Sequence, residues 1–357
     1  MNRSRAAWAL SALATIVWLV AVSSAGMFGR IAGHWESTVT MLFGSFLAGS
    51  SPEGGGAVAF PVFTKALDVP GPIARTFGLS IQAVGMSMAV AAIVINRRAM
   101  HARSLQLAVP SAVVGFVLGI TVLGRPDELF WPSTIGTPWV KATFSIVLAT
   151  TSLMMLRHLR GDVDEVPWSR RLDGIVLVAA FAGGLLSSLT GTGANIAVFL
   201  VLVMIAGVRP HVALPTSIAV MAVVSVVGLL LLGLVDGALH VAVEGGRVVS
   251  VGGEPADLEA ERADLLGLWL AAVPVVVWGA PLGSFCITLV RESTVVRFVA
   301  ALAAIEVLTT VVLVEELRTE PALVAYLAVG LVALPGLLIA LARIERQPER
   351  VSSGRAA

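Results

Sequence analysis

Apolar segments of about 20 residues recur along the whole chain, and each is long enough to cross a bilayer as one helix. They are residues 6–26, 73–95, 104–123, 140–156, 212–234, 265–290, 295–314 and 322–341. Hydrophobic residues make up 57% of the 357 residues and charged residues 13%. Soluble domains carry roughly 25% charged residues. The sequence therefore predicts an all-α polytopic membrane protein with eight full crossings.

The first apolar segment follows the short basic sequence MNRSR, so two interpretations are open. It is either a signal peptide or a retained transmembrane helix. The apolar core of a signal peptide usually has about 7–15 residues, and this segment is longer. We interpret it as a retained helix.

Two further apolar regions are interrupted by glycine and serine. The sequence GSSPEGGGAVAFP, at 49–61, separates segments 38–49 and 57–67, and SSLTGTG, at 187–193, separates segments 174–187 and 194–206. Each segment has about a dozen residues, too few to span a bilayer alone. We therefore predict two re-entrant hairpins, each broken at its glycines.

The two interrupted regions are related to each other. A shift of 137 residues places SSPEGGG over SSLTGTG and, without a gap, LSIQAV (79–84) over TSIAVM (216–221). The order of short helix, glycine break, short helix and long helix is also the same in both regions. We infer an internal duplication.

Orientation follows from the basic loops, because Lys and Arg favour the cytoplasmic side. The loops at 96–103 and 157–171 are basic, whereas the loop at 235–264 is acidic. With three spanning helices and one re-entrant hairpin in each repeat, the repeats have inverted topology, with one extra helix at each end and both termini in the cytoplasm. If both interrupted pairs crossed fully, ten crossings would give the same termini, and charge does not decide between the two arrangements.

These boundaries divide the chain into four parts. They are an N-terminal transmembrane helix with an external linker (1–37), a first repeat with a cytoplasmic connector (38–171), a second repeat containing the external acidic loop 235–264 (172–314), and a last helix with a cytoplasmic tail (315–357).

The glycine breaks are the candidate binding site. Irregular backbone at membrane depth is tolerated where it is buried in protein or lines a cavity. Each break leads into a short helix whose first N–H groups and dipole favour an anion. We expect a small oxyanion to bind both breaks at the membrane midplane. The candidate residues are Ser50, Ser51, Gly54, Gly55, Gly56, Ser187, Ser188, Thr190, Gly191, Thr192, Gly193 and Asn195, with Ser80 and Ser217 on the following helices. The alternative is that these small residues serve only close helix packing.

The break sequences resemble the sulfite exporter TauE/SafE family. EGGGAVAFP (53–61) and GVRPHVALPTSIAV (207–220) carry the resemblance, whereas LTGTGAN (189–195) lacks the run of glycines usual at the second break. The resemblance implies a multi-pass protein of the bacterial inner membrane that moves sulfite, sulfonates or related sulfur-containing anions. Its partners would be the small anion and the lipid bilayer.

Ionisable residues inside membrane segments are functional candidates. Glu306 lies near the middle of an apolar segment and could carry a coupling proton or serve a structural role. Glu53, beside the proposed anion site, is a candidate for coupling or gating. We expect four cationic side chains near the membrane surfaces, where they could attract anions or simply snorkel: Lys65, Arg75, Arg209 and His211.

Other classes of function find little in the sequence. Cys286 is the single cysteine, the five histidines lack metal-ligand spacing, and neither a nucleotide-binding motif nor a nucleophile elbow occurs, so we expect no metal, no cofactor and no enzyme. A net charge of +1 does not indicate nucleic acid as a partner.

We expect a secondary transporter that works by alternating access and is coupled to an ion. The alternatives are a passive anion channel and a carrier of another small anion such as a carboxylate. A third class, a membrane enzyme or a sensor, has only the loop 235–264, in which VAVEGGRVVSVGG predicts a small hairpin and no catalytic constellation occurs. A homodimer stays open.

Overall fold

A computed structural model describes residues 3–346 except 68, 70, 124–136, 159–165, 236–238, 240, 245–246, 252–253, 256–263, 288 and 290. The helices are α1 (Arg3–Ser24), α2 (Phe28–Ala32), α3 (Trp35–Ser50), α4 (Gly56–Pro61), α5 (Gly71–Ile95), α6 (Ala102–Leu123), α7 (Thr137–His158), α8 (Arg170–Thr190), α9 (Ala194–Leu200), α10 (Pro210–Gly228), α11 (Leu265–Cys286), α12 (Glu292–Leu313), α13 (Glu316–Thr319) and α14 (Pro321–Arg346). The π-helical turns Val62–Ala66, Val201–Ile205 and Leu229–Val235 extend α4, α9 and α10.

A small antiparallel sheet interrupts the otherwise helical fold. Its strands are β1 (Val241–Glu244), β2 (Arg247–Val251) and β3 (Glu254–Pro255), in the order β1-β2-β3. The β1–β2 pair, which places Val241 opposite Val251, is the hairpin expected within the acidic loop. Much of that loop, and positions 347–357 of the predicted tail, lie outside the described residues.

Eight helices in the described part of the chain are long and apolar enough to cross a membrane. They are Ser4–Ser24, Ile73–Ile95, Ala102–Val122, Pro138–Arg157, Arg170–Thr190, Pro210–Leu234, Leu265–Cys286 and Pro321–Glu345. Seven coincide with predicted spans. The predicted span 295–314 is covered by α12, whose Ala303–Leu313 part forms a shorter apolar helix.

The remaining candidate span is α8, the helix that precedes the second break. It corrects the expectation that this segment is too short to cross a membrane. It has 21 residues because Arg170, Arg171 and Asp173, which the sequence interpretation assigned to a loop or its edge, form its first turn. The Ser169 hydroxyl caps this turn by accepting from the N–H of Leu172, 3.2 Å away. The helix before the first break, α3, has 16 residues.

Each helix that precedes a break packs along its length on a helix of the other half of the chain. Helix α3 lies along α11, and α8 lies along α6. Within each pair the two helices run parallel. Ser37 Oγ donates to the carbonyl of Leu268 near the start of α11 (2.8 Å), and Ser111 Oγ of α6 donates to the carbonyl of Leu177 (2.7 Å). Helices α5 and α10 pack on each other, as do α7 and α12.

The two lengthwise pairs use the same packing device. Gly115 and Gly119 of α6 lie against Phe181 and Ser188 of α8, and Gly279 and Gly283 of α11 lie against Ser45 and Phe46 of α3. At all four glycines an added Cβ would collide with the facing residue. Glycines four residues apart permit this close approach of helix backbones within a membrane.

The backbone after each break also repeats. In the first half, Leu67 N donates to Val62 O (3.1 Å) and Val69 N to Phe63 O (2.9 Å). The same two bonds occur 139 residues later, from Ala206 N to Val201 O (3.0 Å) and from Val208 N to Leu202 O (2.8 Å). Equivalent residues are therefore 139 positions apart in this segment, whereas they are 137 apart at the breaks and between 79–84 and 216–221.

Helices α3 and α11 start at one end of the molecule, and helices α6, α8 and α10 start at the opposite end. Near the start of α11, Trp269 Nε1 donates to Ser80 O of α5 (3.1 Å), and Asp264 binds Arg30 and His34 just before α3. Burial alone would raise the pKa of Asp264, but hydrogen bonds from His34 and Arg30 hold it well below its usual range.

At the opposite end, Arg103 of α6 pairs with Asp173 of α8, with Nη2 2.5 Å from Oδ2. The N–H of His101, directly before α6, donates to Thr216 Oγ1 of α10 over 2.9 Å. The starts of α6, α8 and α10 are thus grouped at this end.

Candidate functional site

The two glycine breaks, 51–55 between α3 and α4 and 191–193 between α8 and α9, are in direct contact. Thr192 Oγ1 donates to the backbone carbonyl of Glu53 over 3.2 Å. A Cβ added to Gly56 would lie 2.9 Å from the Cβ of Thr192. Residues 139 positions apart in the sequence therefore form one buried polar region.

Gln82 of α5 joins the two breaks from the side. Its Nε2 donates to the carbonyls of Gly191 (2.8 Å) and Gly78 (3.0 Å), and a Cβ on Gly56 would lie 2.9 Å from the same nitrogen. The side chain is buried. Gln82 is not among the residues predicted from the sequence, although an amide in the middle of an apolar span was a usable signal.

Most of the hydroxyls expected to bind the anion donate within their own helices instead. Each of the following donates to a carbonyl three or four residues earlier: Ser50, Ser51, Ser187, Ser188 and Ser217. The Thr190 hydroxyl donates to the carbonyl of Thr192 over 2.6 Å. The Ser187 hydroxyl also accepts from the N–H of Ala194 at the start of α9, over 3.0 Å. These hydroxyls therefore stabilise the helix ends around the breaks in this conformation.

Other polar atoms around the breaks are buried and lack a hydrogen-bond partner among the described residues. They are both carboxylate oxygens of Glu53, Oε1 of Gln82 and Nδ2 of Asn195. Oγ of Ser80, on α5, is also buried without such a partner, and no contact with either break is described for it. A buried polar group without a partner costs free energy, so such atoms are unusual in native structures. Their clustering at the breaks marks this region as the best candidate for a polar ligand.

The predicted glycines differ in what surrounds them. Gly54 and Gly191 have left-handed backbone, with φ of +73° and +79°, which favours glycine. A Cβ on Gly55 would lie 3.2 Å from the carbonyl oxygen of Gly44 on α3, so this glycine packs on its own hairpin. A Cβ on Gly193 would lie 2.8 Å from Leu186 of α8.

Residues of the first break face two different cavities. Ser51 and Glu53 line a cavity of about 180 Å³, whereas Ser50 and Pro52 line a cavity of about 360 Å³. The larger cavity is also lined by Arg98 and His211, at the end of the molecule where α6, α8 and α10 start. The first break thus separates the two cavities.

The smaller cavity contains a buried ion pair. Lys65 Nζ lies 2.5 Å from Glu306 Oε1, and both side chains are nearly inaccessible, at 3% and 6%. Ser145 of α7 donates to the same carboxylate oxygen over 3.2 Å, and Lys65 also donates to Thr310 Oγ1 over 2.8 Å. Glu306 therefore has a cationic partner on the first hairpin.

Two of the cations expected near the membrane surfaces are buried instead. Lys65 is paired with Glu306, and the Nη1 of Arg75 donates to the carbonyl of Ser188 over 3.2 Å. Arg75 is only 3% exposed and lies beside the second break. The sequence suggested positions near a membrane surface for both residues, because their partners lie more than 100 positions away and leave no local pattern. Arg209 and His211 are exposed.

Gly191 provides a test of the close packing of the second break against α5. A Cβ at this position would lie 2.5 Å from the carbonyl oxygen of Arg75, in left-handed backbone. We expect Gly191→Ala to lower the free energy of unfolding by roughly 1–3 kcal/mol, measured by thermal unfolding in detergent. Gly174→Ala, within α8 and with open space at its Cβ, is the control and should stabilise by up to about 1 kcal/mol. Equal stability of the two variants would contradict the tight contact at Gly191.

The family model described as sulfite exporter TauE/SafE matches residues 37–310, which include both breaks, Gln82, Lys65 and Glu306. No curated protein and no solved structure matches the chain significantly. The match confirms the resemblance drawn from the break sequences and extends it beyond them, over more than half of the chain. With its eight apolar helices, the protein is a multi-pass membrane protein of the anion-exporter type. The chain belongs to the sulfite exporter TauE/SafE family.

Proposed function

We propose that the protein is a secondary transporter that moves a small sulfur-containing oxyanion, sulfite or an organosulfonate, across the bacterial inner membrane by alternating access. The observation that carries the proposal is the contact between the two glycine breaks, with the unpartnered Asn195 amide nitrogen buried beside it. The substrate site would consist of the two breaks and the residues named for them above. Asn195 is the most direct donor, and the capping hydroxyls would contribute after a rearrangement of the helix ends.

The proposal includes two inverted repeats with re-entrant hairpins. It is supported by the equivalent packing of α3 on α11 and of α8 on α6, and by the repeated backbone bonds after each break. It is also supported by the opposite ends at which the flanking helices start. Helices α3 and α5 both run parallel to α11, so the chain returns through α4 and its π-helical turn between them.

Inverted topology can be tested by cysteine labelling. After Cys286→Ala, we expect a cysteine at Met100 to react only from the cytoplasmic side, because it lies in a basic loop, and a cysteine at Ser250 only from the outside. A membrane-impermeant maleimide on intact cells and on inverted vesicles measures both. Labelling of both positions from one side would contradict the inverted arrangement.

Transport itself can be measured in liposomes. We expect sulfite or sulfonate uptake to saturate with concentration and to respond to a proton gradient, because a carrier binds its substrate and, in this proposal, couples it to an ion. The panel comprises sulfite, thiosulfate, alkyl sulfonates and carboxylates, and empty liposomes are the control. Flux that neither saturates nor responds to the gradient would indicate a passive channel, and preference for carboxylates would indicate another substrate class. Absence of flux for every anion would contradict the proposal.

Glu306 is the proposed coupling residue. Its carboxylate faces Lys65 on the first hairpin, with Ser145 and Thr310 hydroxyls beside it, and Glu53 lines the same cavity. Lys141, on α7, donates to the carbonyl of Thr64 over 3.2 Å, next to Lys65. Gain and loss of a proton at Glu306 would change its attraction to Lys65, and thereby the contact between the first hairpin and α12.

We expect Glu306→Gln to abolish the pH dependence of flux while anion binding remains measurable. The substitution leaves a buried Lys65 without its counter-charge, which costs on the order of 3–5 kcal/mol. The double variant Lys65→Met with Glu306→Gln is therefore the control for stability, because it removes the buried charge. It should recover the thermal stability and not the pH dependence. An unchanged pH dependence in folded Glu306→Gln protein would assign the residue a structural role only.

A further inference from the structure

Two buried amide side chains lie against Gly54 from different elements. A Cβ built on Gly54 would be 2.9 Å from Nδ2 of Asn195, on α9, and 3.0 Å from Oε1 of Gln82, on α5. The third neighbour is the methyl carbon of Met86, at 2.6 Å. Because Gly54 has no side chain, the amide nitrogen and the amide oxygen both border the space beside its Cα.

The orientation of each amide is fixed by its other end. Gln82 Nε2 donates to the carbonyls of Gly191 and Gly78, which turns Oε1 toward Gly54. Asn195 Oδ1 accepts from the N–H of Gly193 over 3.3 Å, which turns Nδ2 toward Gly54. Rotating either amide by half a turn would exchange these hydrogen bonds for contacts between two donors or between two acceptors.

The two amides therefore present one donor and one acceptor toward Gly54. All three neighbours lie within 3.0 Å of a Cβ built on Gly54, so a ligand fits between the amides only after Met86 moves away. Both side chains are at most 1% exposed, and neither Oε1 of Gln82 nor Nδ2 of Asn195 has a partner in the described part of the chain. An anion without a hydrogen-bond donor would satisfy Asn195 and leave the oxygen of Gln82 unpaired. A ligand that carries both kinds of group satisfies both amides.

We propose that Gln82 and Asn195 select an oxyanion that carries its own hydrogen-bond donor, either a monoprotonated oxyanion or a sulfonate bearing a hydroxyl or amino group. This inference rests on the proposed function, because it takes the contact between the breaks as the substrate site. Asn195 binds an oxygen of the anion, and Gln82 binds its O–H or N–H. A fully deprotonated dianion places its oxygens against Gln82 Oε1 and gains nothing there.

Hydroxyethanesulfonate and propanesulfonate test the role of the donor. The two anions have the same charge and the same number of heavy atoms, and only the first has a hydroxyl. We expect the wild-type protein in detergent to bind hydroxyethanesulfonate roughly tenfold more tightly, measured by calorimetry, because the other anion leaves a buried acceptor unpaired. Equal affinities would overturn this inference and leave the proposed anion transport intact. If neither anion bound, and sulfite did not bind either, both would fall.

Substitutions assign the preference to the two amides. Gln82→Met keeps the length of the side chain and removes the amide oxygen, so the tenfold preference should disappear. Asn195→Asp keeps the acceptor that binds Gly193 and replaces the free donor by a carboxylate oxygen, so the affinity for both anions should fall at least tenfold. Thr150→Val is the matched control, since it removes another buried hydroxyl without a partner, on α7, and should leave both affinities unchanged. A preference that persists in folded Gln82→Met protein would show that another group recognises the donor.

Discussion

Backbone that leaves the helical conformation at membrane depth must find hydrogen-bond partners inside the protein, and the two breaks supply partners for each other. Thr192 binds the carbonyl of Glu53, and Gln82 binds the carbonyl of Gly191. Lipid offers no replacement for these bonds. The glycines between α3 and α11 and between α8 and α6 let each helix that precedes a break pack closely on a helix of the other half of the chain. The geometry of the candidate site thus depends on contacts between the two halves of the chain.

The spans and the breaks could be predicted because the length of an apolar segment and the position of glycines are local properties. Seven of the eight candidate spans and the hairpin β1–β2 follow directly from the sequence. Helix α8 was predicted too short because its first turn is charged, and Ser169 caps that turn at its start. Burial of Lys65 was missed because its partner, Glu306, is 241 residues away, and a charge pair at that separation leaves no local pattern.

The site was predicted in position and less well in chemistry. Serines and threonines at the breaks indicated hydroxyl donors, yet these hydroxyls mostly bind their own helices, the common behaviour of such residues inside helices. At the breaks, the described polar atoms without a hydrogen-bond partner belong to Glu53, Gln82 and Asn195. Gln82 lies on a helix outside the breaks, so only the packing of α5 against both breaks reveals it.

The segment from Ser50 to Glu53 separates two cavities. Ser50 and Pro52 line one of them, and Ser51 and Glu53 line the other. When water fills both cavities, conducting solvent reaches both sides of this single stretch of polypeptide. A voltage applied across a membrane falls mainly over its least conducting layer, so much of the electric field would be concentrated on these four residues. An anion that passes this stretch would then cross most of the membrane potential in one step, which is worth about 2.3 kcal/mol per charge for each 100 mV.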